Sequence, residues 1–311
     1  MYKKVIYALF IQLVFALTTQ AHATPIVIDP GYLPIQVFAD ITPGDGSGIC
    51  FDTEGNLFVA SSHNGSIHKV DKYGNAEIFA TGFSYPAGVA VDSNGYVYIA
   101  SGATYQDLYR VSPDGTSMSI FTTGLYHSRD MVFDDTGDLF VANGGDGRIL
   151  KITQDGSVST FLSGYAGPGG PSGLAFDSDG YLYFCVHDLG TAYRSSPDGG
   201  QVDLIASGLG LAHYLDFIGN GNLFVTNPQN GTIIKIASNY SKSIFAKGFS
   251  QQVNAPYIGP NGMAFNDGSL YVVDGSTIYK ISPVSEPTTM LLLGTGLIGF
   301  AGYRKFRRKS C

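Results

Sequence analysis

Apolar residues in this chain fall into paired short runs, each pair split by a polar turn of fixed form. Gly48-Ile-Cys-Phe closes on Asp52, Gly55 follows, and a second run spans Leu57-Phe-Val-Ala60. The phrase returns at 88–100, 131–142 and 173–184. A fifth copy, Leu215-Asp-Phe-Ile218 with Gly221-Asn-Leu-Phe-Val225, lacks the closing Asp. A sixth, Gly262-Met-Ala-Phe-Asn266 with Gly268-Ser-Leu-Tyr-Val-Val273, is one residue shorter. From Asp52 through Asp92, Asp134, Asp177 and Ile218 to Asn266, the steps are 40, 42, 43, 41 and 48 residues. Runs rich in Val, Ile, Phe and Tyr between Gly and Asp predict strands. Asp bonds its own backbone two residues on, and Gly accepts positive φ.

Each unit continues with a third run that mixes Lys with Ile, such as Arg148-Ile-Leu-Lys-Ile152 or Thr277-Ile-Tyr-Lys-Ile281. A turn such as Ser112-Pro-Asp-Gly115 then leads to an outer run such as Val158-Ser-Thr-Phe161. Four strands per period of this length, six times over, predict an all-β fold, a six-bladed β-propeller of four-stranded blades. The sixth unit stops at Ile281-Ser282-Pro283 without an outer strand. An orphan run, Ile35-Gln-Val-Phe-Ala39, matches the missing piece in pattern (compare Ser243-Ile-Phe-Ala246). Residues 35–39 are therefore predicted to complete the last blade, which removes open sheet edges. These phrases resemble the NHL-repeat and gluconolactonase-like six-bladed propellers over residues 25–284. That resemblance implies a fold rather than an activity, because such scaffolds host enzymes, sensors and binding platforms.

The two ends add an address. Lys3 and Lys4, an apolar run from Val5 to Leu17 and Ala21-His22-Ala23 predict a secretory signal peptide over 1–23. The propeller is assigned to 24–284. Beyond it, Val284-Ser-Glu-Pro-Thr-Thr289 leads into an apolar stretch at 290–303 and a basic cluster, Arg304-Lys-Phe-Arg-Arg-Lys309. This end resembles the PEP-CTERM sorting tail, also catalogued as an ice-binding protein C-terminal domain, with Glu286 and Pro287 matching the motif and Ser285 replacing its first Pro. The tail is assigned to 285–311, with a short hydrophobic transmembrane helix at 290–303. The basic cluster favours the cytoplasmic side. The resemblance implies processing by an exosortase, with the propeller on the periplasmic side and then at the cell surface or in the extracellular matrix.

Between leader and tail, 11 Lys and Arg stand against 24 Asp and Glu, a net charge near −13. Such a body is a poor nucleic-acid partner. Cys50 and Cys185 fall on opposite blades, beyond disulfide reach, and Cys311 leaves with the tail.

In a propeller, the starts of the inner strands and the loops between second and third strands share one face around the channel. The opening residues are Ser47, Ala87, Arg129, Ser172, His213 and Asn261, and the adjacent loops offer His63, Asn143, His187, Asp188, Asn227 and Asp274. Arg129, Asp130, Ser172, His213, Asn261, Asn143, His187, Asn227 and Asp274 are the candidate binding residues. Arg129-Asp130 reads as a channel ion pair or as an anion-binding point. Connections 164–171 and 250–259 are long for such loops. Tyr85, Tyr105, Tyr126, Tyr165, Tyr214 and Tyr257 fall in loops of this face and offer platforms for polysaccharide or peptide.

The gluconolactonase-like resemblance implies a divalent cation held by Glu, Asn and Asp at strand openings. Only Asn261, in Pro260-Asn261-Gly262, matches that pattern, and a hard cation needs several charged oxygens. No catalytic residue and no cofactor is assigned, with a divalent cation as the alternative. The expected function is a non-catalytic binding module of the envelope or exopolysaccharide, taking a polysaccharide or protein ligand. The alternative is a metal-dependent lactonase-like hydrolase or NHL-type lyase acting at the channel mouth.

Overall fold

The structure, a computed structural model, describes residues 24–101, 106–167, 169–218, 221–251 and 259–284. The leader, the sorting tail with Glu286, Pro287 and its expected helix, and Tyr105, Tyr257 and Cys311 lie outside the described residues. The described strands form six antiparallel sheets arranged as propeller blades. The inner strands are Gly46–Phe51, Pro86–Val91, Ser128–Phe133, Pro171–Phe176, Leu215–Ile218 and Pro260–Asn266. Each contacts the inner strand of the next blade. All six run from one face, here the mouth face, to the other, the turn face.

The turn face carries the repeated Asp. The Asp52 carboxylate accepts the N–H groups of Glu54 and Asn56 at 3.0 and 2.8 Å, and Asp92, Asp134 and Asp177 repeat both bonds. These carboxylates thus supply partners that the backbone would otherwise lack at a tight reversal.

Aromatic contacts lock blade to blade. In blade three, Phe140 meets Phe161 of its own outer strand at 4.9 Å and Phe176 of the next inner strand at 5.0 Å, both edge-on. Tyr98 repeats this with Phe121 and Phe133, and Tyr271 with Phe38 and Phe51. Edge-to-face pairs contribute roughly 0.5–1.5 kcal/mol each beyond area burial. The last set closes the circle, since Phe51 belongs to blade one and Phe38 to the N-terminal strand.

That strand, Gln36–Asp40, pairs with Thr277–Ile281 in the register Gln36 to Lys280 and Asp40 to Thr277. The closing strand is therefore where the sequence pattern puts it. A further strand departs from the expected four per blade. Ile26–Val27 adds to Lys242–Lys247 of blade five, making that sheet five-stranded, and Asp29 then pairs with Lys235 at 3.0 Å. The same segment fastens the chain's exit. Leu33 N–H donates to Ser282 O at 2.8 Å, and Val284 N–H to Gly31 O at 2.9 Å. Because Thr277–Ile281 is a third strand, the chain leaves on the turn face, opposite the mouth.

Cys50 and Cys185 are both free. Burial pushes both thiols up, Cys185 to about 11, which holds them as unreactive thiols near neutral pH.

Candidate functional site at the channel mouth

Three inner-strand openings and one loop between second and third strands deliver four candidates to one cluster. Arg129, on blade three, points its guanidinium across the mouth, where Nη1 donates to His213 Nε2 of blade five at 3.5 Å. His213 Nδ1 donates to Asn261 Oδ1 of blade six at 3.2 Å, and Asn261 Nδ2 donates to Gly46 O of blade one at 3.3 Å. The His187 ring stands edge-on to His213 with centroids 5.1 Å apart, and its Nδ1 lies 2.5 Å from Asp188 Oδ1. Burial, followed by the neighbouring His187 and the Arg129 charge, holds His213 well below the usual histidine range. Burial and then Arg129 also lower His187, against the pull of Asp188. His213 is thus a neutral imidazole with the proton on Nδ1.

Beneath this chain the channel is plugged. Tyr214, expected as an exposed platform, is 3 % exposed. Its hydroxyl crosses the axis to donate to Ala87 O at 3.0 Å, with Arg129 O at 3.4 Å and Ser47 Oγ at 3.5 Å beside it. Asp130 is the second correction, because the expected ion pair with Arg129 does not form. The Asp130 carboxylate accepts Met131 N–H and Leu174 N–H, both at 2.9 Å, and so ties blade three to blade four. Burial pushes it up to about 7 against those bonds, with Asp216 adding to the rise. Asp216 makes the same kind of tie, accepting Phe265 N–H of blade six at 2.8 Å, and is pushed up to about 6 by burial. Neither Asp216 nor Tyr214 was singled out for these roles, although both break the small-residue pattern of their strand positions.

The other candidates serve as braces. Asn143 Oδ1 accepts Tyr126 N–H at 2.7 Å, Asp274 Oδ2 accepts Ser250 N–H at 2.9 Å, and Asn227 Nδ2 donates to Leu209 O at 2.8 Å. Each holds the loop that leads into its own blade's inner strand. Ser172 is fully buried and donates to Ala212 O at 2.9 Å. Among the loop tyrosines, Tyr165 packs on Phe184 and Tyr193, whereas Tyr85 is exposed. A cleft of about 450 Å³ lies on the turn face between blades two and three. Two of its carboxylates, Asp92 and Asp134, are the turn-formers described above, and its Arg110 stacks 3.7 Å over Tyr96.

The family described as the PEP-CTERM protein-sorting motif matches residues 283–308. The chain carries that sorting motif. It implies an exported protein that is processed by an exosortase. No curated protein matches the chain in sequence. Among solved structures, a gluconolactonase from Xanthomonas campestris has a TM-score of 0.67 at 13% identity, over 84% of this chain and 95% of that one. Virginiamycin B lyase from Staphylococcus aureus has a TM-score of 0.57 at 16% identity, over 76% and 80%. A chain of a nidogen/laminin complex has a TM-score of 0.60 at 20% identity, over 65% and 81%. At these identities the likeness shows a shared propeller fold, found in two enzymes and one protein–protein complex.

The donors at the mouth do not fit the divalent cation that lactonase-like propellers imply. The Ala87 side chain has no ligand atom and its carbonyl is taken by Tyr214, Ser172 donates to backbone, and both polar side-chain atoms of the Asn261 amide are engaged. Arg129 places a fixed positive charge against His213 Nε2. Among the described residues no three His, Cys, Asp or Glu side chains gather to hold a metal ion.

Proposed function

We propose that this exported propeller is a binding module of the cell envelope or extracellular matrix, engaging its ligand at the mouth without transforming it. The observation that carries this reading is the state of His213. Both its ring nitrogens are committed, Nδ1 to Asn261 and Nε2 to Arg129, so neither is open to take a proton from a substrate. A general base needs that atom within hydrogen-bond reach of the reacting group. The exit of the chain on the turn face supports the same reading. A propeller attached through its sorting end would present the mouth away from the attachment.

The test is thermal unfolding of the purified protein, stripped with chelator and then titrated with calcium or zinc. A ligand that binds the native state alone raises stability by about 2.7 kcal/mol at 100 times its Kd. We expect no saturable rise with either ion. A saturable rise abolished by Asn261→Ala would instead support the metal-dependent hydrolase or lyase and direct attention to lactone substrates.

A further inference from the structure

We propose that the ligand group held at the mouth is a carboxylate, bound by the Arg129 guanidinium. This rests on reading the mouth as the binding site. Arg129 is the only cation among the six residues that open the inner strands, and none of the six is a carboxylate. Among the described residues no carboxylate lies within ion-pair distance of it. Asp130 is turned to Met131 and Leu174, and Asp188 to His187. Among the described residues the guanidinium's one hydrogen bond is the long contact to a neutral imidazole. Most of the guanidinium's five N–H donors have no protein partner among the described residues and stay open to solvent, none of them being buried and unsatisfied, so an incoming carboxylate finds them available.

The surroundings hold that group in place. A Cβ at Gly144 would lie 3.1 Å from Arg129 Nε, and one at Gly169 would lie 2.9 Å from His187 Nδ1. Bare backbone thus closes on both side chains and limits how they turn. A single planar fork with no second cation beside it matches a monoanionic carboxylate, which takes two parallel N–H bonds. A phosphate dianion would call for more positive charge. The body near −13 repels anions at long range, so capture depends on this short-range fork. Two sources fit the chemistry, a free sugar acid and a uronate within an acidic polysaccharide.

The experiment follows the ring signals of His187 and His213 by NMR in the purified protein during titration with glucuronate, oligogalacturonate and glucose. Both acids should give saturable shifts and glucose none. Arg129→Gln should weaken acid binding roughly tenfold or more, and Arg129→Lys should restore only part of it. Tighter binding of the oligomer than of the monomer assigns the polymeric source, and equal binding the free acid. Glucose shifting the signals as well as glucuronate overturns the carboxylate inference while leaving the mouth as a binding site. Acid binding that survives Arg129→Gln overturns it too, as does the lack of any saturable shift with either acid. The metal titration decides the binding-module reading separately.

Discussion

The residue that follows each of the six openings Ser47, Ala87, Arg129, Ser172, His213 and Asn261 divides the blades into two groups. In blades one, two, four and six it is Gly48, Gly88, Gly173 and Gly262; in blades three and five it is Asp130 and Tyr214. A Cβ on the four glycines would lie 2.5, 2.5, 2.6 and 2.0 Å from backbone atoms of the next blade. There the repeat brings inner strands into contact around the axis and excludes side chains. The two exceptions place a carboxylate and a phenol at the same strand position, and both use them to bridge blades. Departures from the repeat therefore mark where the channel is tied and plugged, directly beneath the Arg129–His213–Asn261 chain. The neighbouring positions that carry that chain are the ones the close-packed glycines leave free to vary.

Substituting into the close-packed group should give the largest effect. Gly262→Val would drive a branched side chain into Ser47 O, where blade six meets blade one. Overpacking costs about 1–3 kcal/mol even where side chains can yield, and backbone cannot. We expect a loss of about 3 kcal/mol or more, read as a lowered urea midpoint. A variant with the wild-type midpoint would contradict the contact.

The exceptional group is sharpened by titration. The folded-state value of Asp130, about 7, lies above that of an unfolded Asp, about 3.9. A raised carboxyl stabilises fully below the unfolded value, and that contribution fades as pH rises through the folded one. Asp134 and Asp29, held low in the fold, act in the opposite sense, so the difference between proteins is the useful quantity. Asp130→Asn loses a good acceptor for Leu174 or Met131 N–H, costing about 1–3 kcal/mol in acid. The deficit relative to wild type should shrink and then reverse between about pH 4 and 7, because wild type loses about 1.4 kcal/mol per pH unit across that window while the Asn variant does not. A deficit constant with pH would show that Asp130 titrates as an ordinary carboxyl.

Much of this was legible from periodicity. The six blades, the closing strand at Gln36–Asp40 and the turn-forming Asp residues all follow from a phrase that repeats with its spacing intact. The added strand Ile26–Val27 did not, because two residues carry no pattern. Asn143, Asn227 and Asp274 were indistinguishable from ligand-binding residues, since a sequence does not show that a polar side chain is spent on a nearby backbone group. Arg129 and Asp130 suggested a pair by adjacency, yet neighbours along a strand point to opposite faces. Tyr214 carried a readable signal: counted back from Ile218, it stands where four siblings have Gly, on the axis rather than in a loop.

Tyr214 also provides the smallest and cleanest perturbation. Tyr214→Phe keeps the plug's shape but removes the one hydroxyl that reaches Ala87 O, with Arg129 O and Ser47 Oγ nearby. The net worth of such a bond is about 1 kcal/mol, the carbonyls losing a partner while the hydroxyl's own desolvation is relieved. Burial holds the phenol well above its ordinary range, so it stays a neutral donor wherever the protein is handled. The loss should therefore be the same at pH 5 and pH 8, measured as a difference in urea midpoint, whereas the Asp130→Asn deficit changes across that window. A Tyr214→Phe deficit that moved with pH in step with Asp130 would mean that the hydroxyl and the carboxyl form one coupled network rather than two separate ties.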